Sequence, residues 1–198
     1  MNCGHLCAAT AIAFFTLGAG AAQETLPDRD PTKASAKSAA RLYDLASQWT
    51  TQDGASVRLG SFAGRPLIAA VGSTICGDNP AIVADIIWVD KHLPAREAKL
   101  VRFALFSFDP EADTPERLRL YAESHDLDLN RWTLLRSDEH AASELAAALD
   151  VPFRRDDLHA AVISLIDDRG GIVFQQRGRQ VSSEAFLERL MRLFSGTN

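Results

Sequence analysis

Cysteine is scarce in this chain: there are three, at Cys3, Cys7 and Cys76. The first two lie in an N-terminal apolar stretch that reads as a leader, so the processed chain keeps a single thiol and can form no internal disulfide. Its core must then hold together without covalent staples. Basic clusters are short as well: no run of Lys or Arg exceeds a pair, and the formal net charge is −5, so the electrostatic footprint of a nucleic-acid-binding protein is missing. Arg154-Arg155, flanked by Asp156-Asp157, reads as a solvated loop. No internal repeat is visible. Long hydrophobic runs are also wanting, since the stretch from Ala8 to Leu17 is too short for a membrane span.

That stretch is followed by Gly18-Ala-Gly-Ala-Ala22, which offers small-residue cleavage sites, so residues 1–22 are expected to be a secretory signal. There is no Lys or Arg before Arg29, which makes a poor n-region, and an uncleaved signal would leave a weak membrane anchor. The residues before Cys7, Gly4-His5-Leu6, do not resemble a bacterial lipid-attachment site. Residues 23–40 are polar, rich in Pro, Ala, Lys and Ser and without period, and read as a tether. The expected location is therefore exported, in the periplasm. Residues 41–198 are read as one domain with the composition of an ordinary soluble protein, 46% apolar and 24% charged.

Along that domain, Asp53-Gly54 between Trp49 and Leu59 predicts a hairpin. Leu67–Val71 and Leu100–Phe108 predict buried strands, and Trp132–Leu135 a third. Helical spacing of Ile82, Val83, Ile86, Ile87 and Val89 predicts a helix with Asn79 as its N-cap and Pro80 as its first residue. Thr114-Pro115-Glu116 opens a second helix through about Ser124, and Ser137 is expected to cap a third that ends near Asp150. Ala160–Ile166 and Ile172–Gln176 flank an Asp-Asp-Arg-Gly-Gly turn, and Phe186, Leu187, Leu190, Met191 and Phe194 form a closing amphipathic helix. The order predicts an α/β domain, a central mixed sheet covered on both faces.

Cys76 falls in the turn from the first buried strand into a helix. The positive end of that helix favours a thiolate, the form that attacks disulfides or peroxides and binds soft metals, whereas Asp78 opposes it. The competing reading is a small buried hydrophobe. Asp109 reads either as an Asp-Pro turn bonded to nearby backbone or as a site residue at the carboxyl end of a central strand. Asp113 and Thr114 read as capping groups. His92, His125 and His140 have no partner spacing and read as surface residues.

Together these pieces resemble the Sco/SenC family from about Trp49 to Gly178. Asp53-Gly54 with Val57 and Leu59, then Gly64-Arg-Pro66, match the family's opening hairpin. Ser107-Phe-Asp109-Pro-Glu-Ala-Asp113-Thr-Pro115 with Leu118 and Tyr121 matches a family signature, and His159 precedes Leu165, Asp167 and Gly170 at the family's offsets for its copper-binding histidine. The resemblance implies a thioredoxin-like fold with an N-terminal hairpin extension. It also implies copper, Cu(I) or Cu(II), held by Cys76 and His159, with Asp78, Asn79 and Asp109 as possible oxygen neighbours. Without the resemblance, His159 would be read as a partly buried histidine bonded to backbone.

The chain departs from the family in one place. The family motif is Cys-x-x-x-Cys-Pro, and Thr74-Ile-Cys76 supplies only its first half; the second cysteine's place falls on Pro80, or on Asn79 if one residue is deleted. A dithiol reductase needs a resolving thiol, and the family's copper site uses two sulfurs and one imidazole, so both activities are expected to be altered.

The expected function is copper delivery or thiol maintenance during assembly of a respiratory copper enzyme such as cytochrome c oxidase. The partner would be a subunit of that enzyme or another copper chaperone. Two alternatives stay open. One is a single-cysteine thiol peroxidase or reductase, with Cys76 as the catalytic residue and Ser73 supplying a hydroxyl three residues before it. The other is a degenerate interaction module that keeps the fold without the chemistry.

Overall fold

The computed structural model describes residues 41–74, 79–151, 162–177 and 182–196. The Asp53-Gly54 turn closes the expected hairpin between β1 (Gln48–Thr51) and β2 (Ser56–Arg58), with Gly54 at φ +77°, a backbone conformation that costs glycine nothing. β3 (Leu67–Gly72) follows a 3-10 turn at Leu59–Phe62 and is buried along its whole length. Its continuous apolar run fits a strand covered on both faces.

The first long helix, α1 (Asn79–His92), takes in Asn79 as its first residue, so Asn79 is not the N-cap expected from the sequence. Pro80 is tolerated there because amides of the first turn have no intrahelical acceptor. The short α2 (Ala95–Ala98) was not legible in advance. β4 (Arg102–Ser107) begins two residues later than its apolar run, with Leu100 exposed.

α3 (Pro115–Ser124) has the predicted bounds, and its N-cap Thr114 accepts a hydrogen bond from the Arg117 amide. β5 (Trp132–Arg136) leads to α4 (Glu139–Ala148). The cap of α4 is Asp138, which accepts from the Ala141 amide, rather than Ser137. The Ser137 hydroxyl instead donates to the Gln48 carbonyl at 2.6 Å, tying the loop to β1.

β6 (Val162–Ile166) and β7 (Ile172–Arg177) form the second hairpin. Its turn has Gly170 at φ +88°, where a Cβ would come within 2.9 Å of the Tyr43 amide nitrogen. The chain closes with α5 (Ser183–Phe194), capped by Ser182.

Among the described residues the strands form one sheet in the order β2-β1-β5-β4-β3-β6-β7. β3, β4 and β5 run parallel, and the flanking pairs are antiparallel. Alternation divides the core. Ile68, Ala70, Phe103, Leu105, Trp132, Leu134, Ile163 and Leu165 face α1, α3 and α5. Leu67, Ala69, Val71, Ala104, Phe106, Leu135, Val162 and Ile166 face α4 and the 3-10 turns at Leu42–Asp44 and Leu59–Phe62. Phe103 stacks on Trp132 with centroids 4.8 Å apart, and on the other face Trp49 meets Phe106 edge-on at 5.0 Å. The expected mixed sheet with two covered faces is what forms.

Candidate functional site

The three parallel strands end together. Gly72 of β3 pairs with Ser107 of β4, and Ser107 pairs with Arg136 of β5, so the loops that follow gather at one edge of the sheet. Open α/β sheets bind ligands outside the carboxyl ends of their parallel strands. From β3 the chain runs through Ser73 and Thr74 toward Cys76; from β4 it runs into Asp109-Pro110.

β6 reaches the same edge from the other direction. It lies antiparallel to β3, with Val71 opposite Val162, so the segment that carries His159 enters the sheet beside the segment that leaves toward Cys76. Cys76, Asp78 and His159 themselves lie outside the described residues, as does the side chain of Asn79.

The best-formed part of this edge is a knot around Asp113. Asp113 is wholly buried. Its carboxyl oxygens receive the Thr74 amide at 3.0 Å, the Ser107 hydroxyl at 2.5 Å and the Thr74 hydroxyl. Ser107 in turn accepts from the Asp109 amide at 3.0 Å, so one short network joins the end of β4, the loop after it and the turn after β3. Reading Asp113 as a helix cap is therefore corrected. Thr114 alone caps α3, and Asp113, one residue outside the cap, turns inward instead. The residue pattern held the clue, because with Thr114-Pro115 already opening the helix Asp113 had no helical task left.

Asp109 follows the simpler of its two readings. Its Oδ1 accepts the Ala112 amide at 3.1 Å and its carbonyl accepts the Asp113 amide at 2.9 Å, the bonding of a turn residue. Arg136 braces the same loop, donating from Nη2 to the Pro110 carbonyl at 2.7 Å.

Tyr121 of α3 packs beside the knot, with its hydroxyl buried and without a hydrogen-bond partner among the described residues. Burial, and secondarily the charge of Asp113, pushes its pKa up to about 12. Ser73, the hydroxyl residue three before Cys76, is 1% exposed.

The remaining histidines are scattered. His92 stacks on Trp88 at the end of α1, His125 lies against Tyr121 at the end of α3, and His140 pairs with Glu144 on the exposed face of α4. Among the described residues no three His, Cys, Asp or Glu side chains gather as a metal site. The donors expected for copper, a thiol and an imidazole, are of the soft and borderline kind that suits that ion, and both fall outside those residues.

Known proteins share this architecture. A SCO1 protein homolog of Bacillus subtilis (strain 168) is 28% identical over 135 residues, spanning 64% of this chain and 69% of that protein. The structure of Bradyrhizobium japonicum ScoI with copper bound superposes with a TM-score of 0.56 at 25% identity, covering 74% of this chain and 96% of the other. BsSco, a member of the Sco family of cytochrome c oxidase assembly proteins, superposes at 0.64 with 23% identity over 74% of this chain and 90% of its own. The shared fold is thioredoxin-like. A family model described as SCO1/SenC matches residues 35–195, a span that takes in both hairpins, the parallel strands and the Asp109–Pro115 loop, and on that match the chain belongs to the SCO1/SenC family.

Proposed function

We propose that this is an exported, periplasmic Sco-like protein that carries copper to a respiratory copper enzyme, such as cytochrome c oxidase, or maintains the thiols of its copper site during assembly. Copper is its cargo, and Cys76 with His159 are the ligands the protein contributes. The supporting observation is the pairing of Val71 with Val162, which brings the chain segments carrying the thiol and the imidazole to one end of two neighbouring strands. A copper-bound relative and a relative in the Sco family of oxidase assembly proteins share the fold.

With one sulfur and one imidazole, the protein leaves a coordination position open. Soft Cu(I) accepts two or three such donors, and an open position is where a recipient's thiolate or imidazole can enter before the first ligands let go. This favours transfer over storage.

The test is Cu(I) binding under reducing conditions by the full chain carrying Cys3→Ser and Cys7→Ser. One equivalent should bind, and Cys76→Ser and His159→Ala should each abolish stoichiometric retention. Retention unaffected by either change would overturn the ligand assignment. Rapid peroxide consumption with an external thiol donor, without copper binding, would replace this reading with a one-cysteine peroxidase.

A further inference from the structure

We propose that Asp53–Gly54, at the tip of the β1–β2 hairpin, is a site of spontaneous isoaspartate formation, and that Arg119 of α3 keeps it closed in the folded chain. Every residue involved lies in the hairpin, β5 or α3, so the site is independent of the copper ligands. Gly54 makes the pair reactive. With no side chain on the following residue, an aspartyl carboxyl group can approach the next amide nitrogen unhindered, and a Cβ placed on Gly54 would meet nothing within 4 Å. The Gly54 nitrogen bonds to Asp53 Cγ while the amide proton and the carboxyl hydroxyl leave as water, closing a succinimide ring. Water then reopens the ring. Attack at the Asp53 main-chain carbonyl carbon breaks its bond to the Gly54 nitrogen and leaves the chain running through Cγ, as isoaspartate. The water lost is regained, nothing is oxidised or reduced, and the mass of the chain is unchanged.

The folded hairpin occupies the groups this chemistry needs. Asp53 Oδ2 accepts from Gln52 Nε2 at 2.8 Å, and Oδ1 pairs with the Arg119 guanidinium. An ion-paired carboxylate is a poorer electrophile than the free acid. The attacking nitrogen is engaged as well, since the Gly54 amide donates to the Thr51 carbonyl at 2.9 Å. The Asp53 amide donates to Thr51 Oγ1 at 3.2 Å, and Gln52 is fixed to β5 through the Leu134 amide and carbonyl, both at 3.0 Å. Arg119 differs from these partners in coming from a helix 66 residues away, so its hold on Asp53 exists only when α3 is docked. The two side chains are 47% and 51% exposed, which leaves the pair open to screening by salt. Isomerisation would add a methylene to the backbone of a tight turn and take the carboxyl group out of reach of Arg119. The product is the substrate of a methyltransferase that esterifies isoaspartyl carboxyl groups.

The test warms the full chain at neutral pH, counts isoaspartate by enzymatic methyl transfer and locates it by electron-transfer fragmentation of the tryptic peptide 42–58. The same peptide free in solution should isomerise about tenfold faster than the parent chain, because the folded turn reacts only through local opening. Arg119→Ala should speed the reaction in the full chain by about threefold, the effect of losing one exposed ion pair. High salt should raise the parent rate to that of Arg119→Ala and leave the variant unchanged.

Two controls separate this contact from general loosening. Arg117→Ala removes a charge from the same helix, and Leu105→Ala removes core packing; both should stay within about twofold of the parent, since the native state still dominates in each. A parent rate equal to that of the free peptide, an unchanged rate in Arg119→Ala, or an equal rise in Leu105→Ala would overturn the proposal. So would the absence of isoaspartate at Asp53 in the free peptide. The salt dependence of the parent chain decides the role of Arg119 should Arg119→Ala fail to fold.

Discussion

Val71 and Val162 sit opposite each other in the antiparallel pairing of β3 with β6, about 4.8 Å apart across the ladder as neighbouring strands are. Cys76 lies five residues beyond the first and His159 three residues before the second. An extended residue spans at most about 3.6 Å, so both segments are long enough for the two side chains to meet at that end of the sheet.

Restoring the missing sulfur should therefore act at that edge. Asn79→Cys is expected to strengthen Cu(I) binding at least tenfold, on the order of 1.4 kcal/mol, because a thiolate replaces an amide that is a poor ligand for a soft ion. Because Asn79 lies in the first turn of α1, its exchange should cost no more than about 1 kcal/mol. Competition titration against a Cu(I) chelator measures the gain, and thiol counting after mild oxidation tests for a new reversible disulfide. A folded variant with neither would rule out an eroded two-cysteine site.

Core packing sets the second expectation. Leu105 is 1% exposed on the face covered by α1, α3 and α5, so Leu105→Ala should cost about 2–5 kcal/mol in urea unfolding. Cys76→Ser should shift the unfolding midpoint little. A loss comparable to that of Leu105→Ala would make the cysteine a packing residue.

The roles of the two polar residues between β5 and α4 can be separated. Asp138→Ala removes the side-chain acceptor for the Ala141 amide and should cost about 1 kcal/mol. Ser137→Ala removes the bond to the Gln48 carbonyl and should cost about 0.5–1.5 kcal/mol. The two residues share no partner among these bonds, so the losses should add in the double variant; strong non-additivity in chemical denaturation would contradict the separate roles.

Alkaline pH should unfold the chain through its tyrosines. The chain has two, Tyr43 and Tyr121, and burial raises both, with Asp167 and Asp168 adding to the effect on Tyr43. A phenol whose pKa is raised by folding holds its proton more tightly in the native state. The stability it lends is complete below the ordinary tyrosine value of about 10 and is lost as pH climbs toward about 12 for Tyr121. Tyrosinate absorbance in the native chain should appear late, and Tyr121→Phe should reduce the fall in stability across that window. Native ionisation of Tyr121 near 10 would show that its hydroxyl is not buried as described.

Much of this architecture is legible in the sequence, because it depends on contacts within a few residues. Thr114-Pro115 marks a helix start since the threonine hydroxyl meets an amide three residues on and proline's fixed φ suits the first turn. Asp53-Gly54 marks a hairpin since only glycine turns there without strain. Apolar runs at Leu67–Val71 and around Phe103 mark strands buried on both faces. The proposed pairing of Cys76 with His159 as soft ligands rests on residue type and on the resemblance to the Sco/SenC family.

Tertiary structure decided what partners those local pieces take. Ser137 and Asp138 are equally good caps by residue type, and Asp138 serves because a carbonyl 89 residues away, that of Gln48, claims the serine. Asp113 is drawn inward by Thr74, 39 residues before it in the chain, a contact that exists only once β3 and β4 lie side by side. The place of β1 next to β5, the exposed start at Leu100 and the burial of Ser73 have the same origin. Backbone dihedrals and bonds between near neighbours are set within a short window of sequence, whereas the choice among equivalent donors waits on strand order, which no window contains.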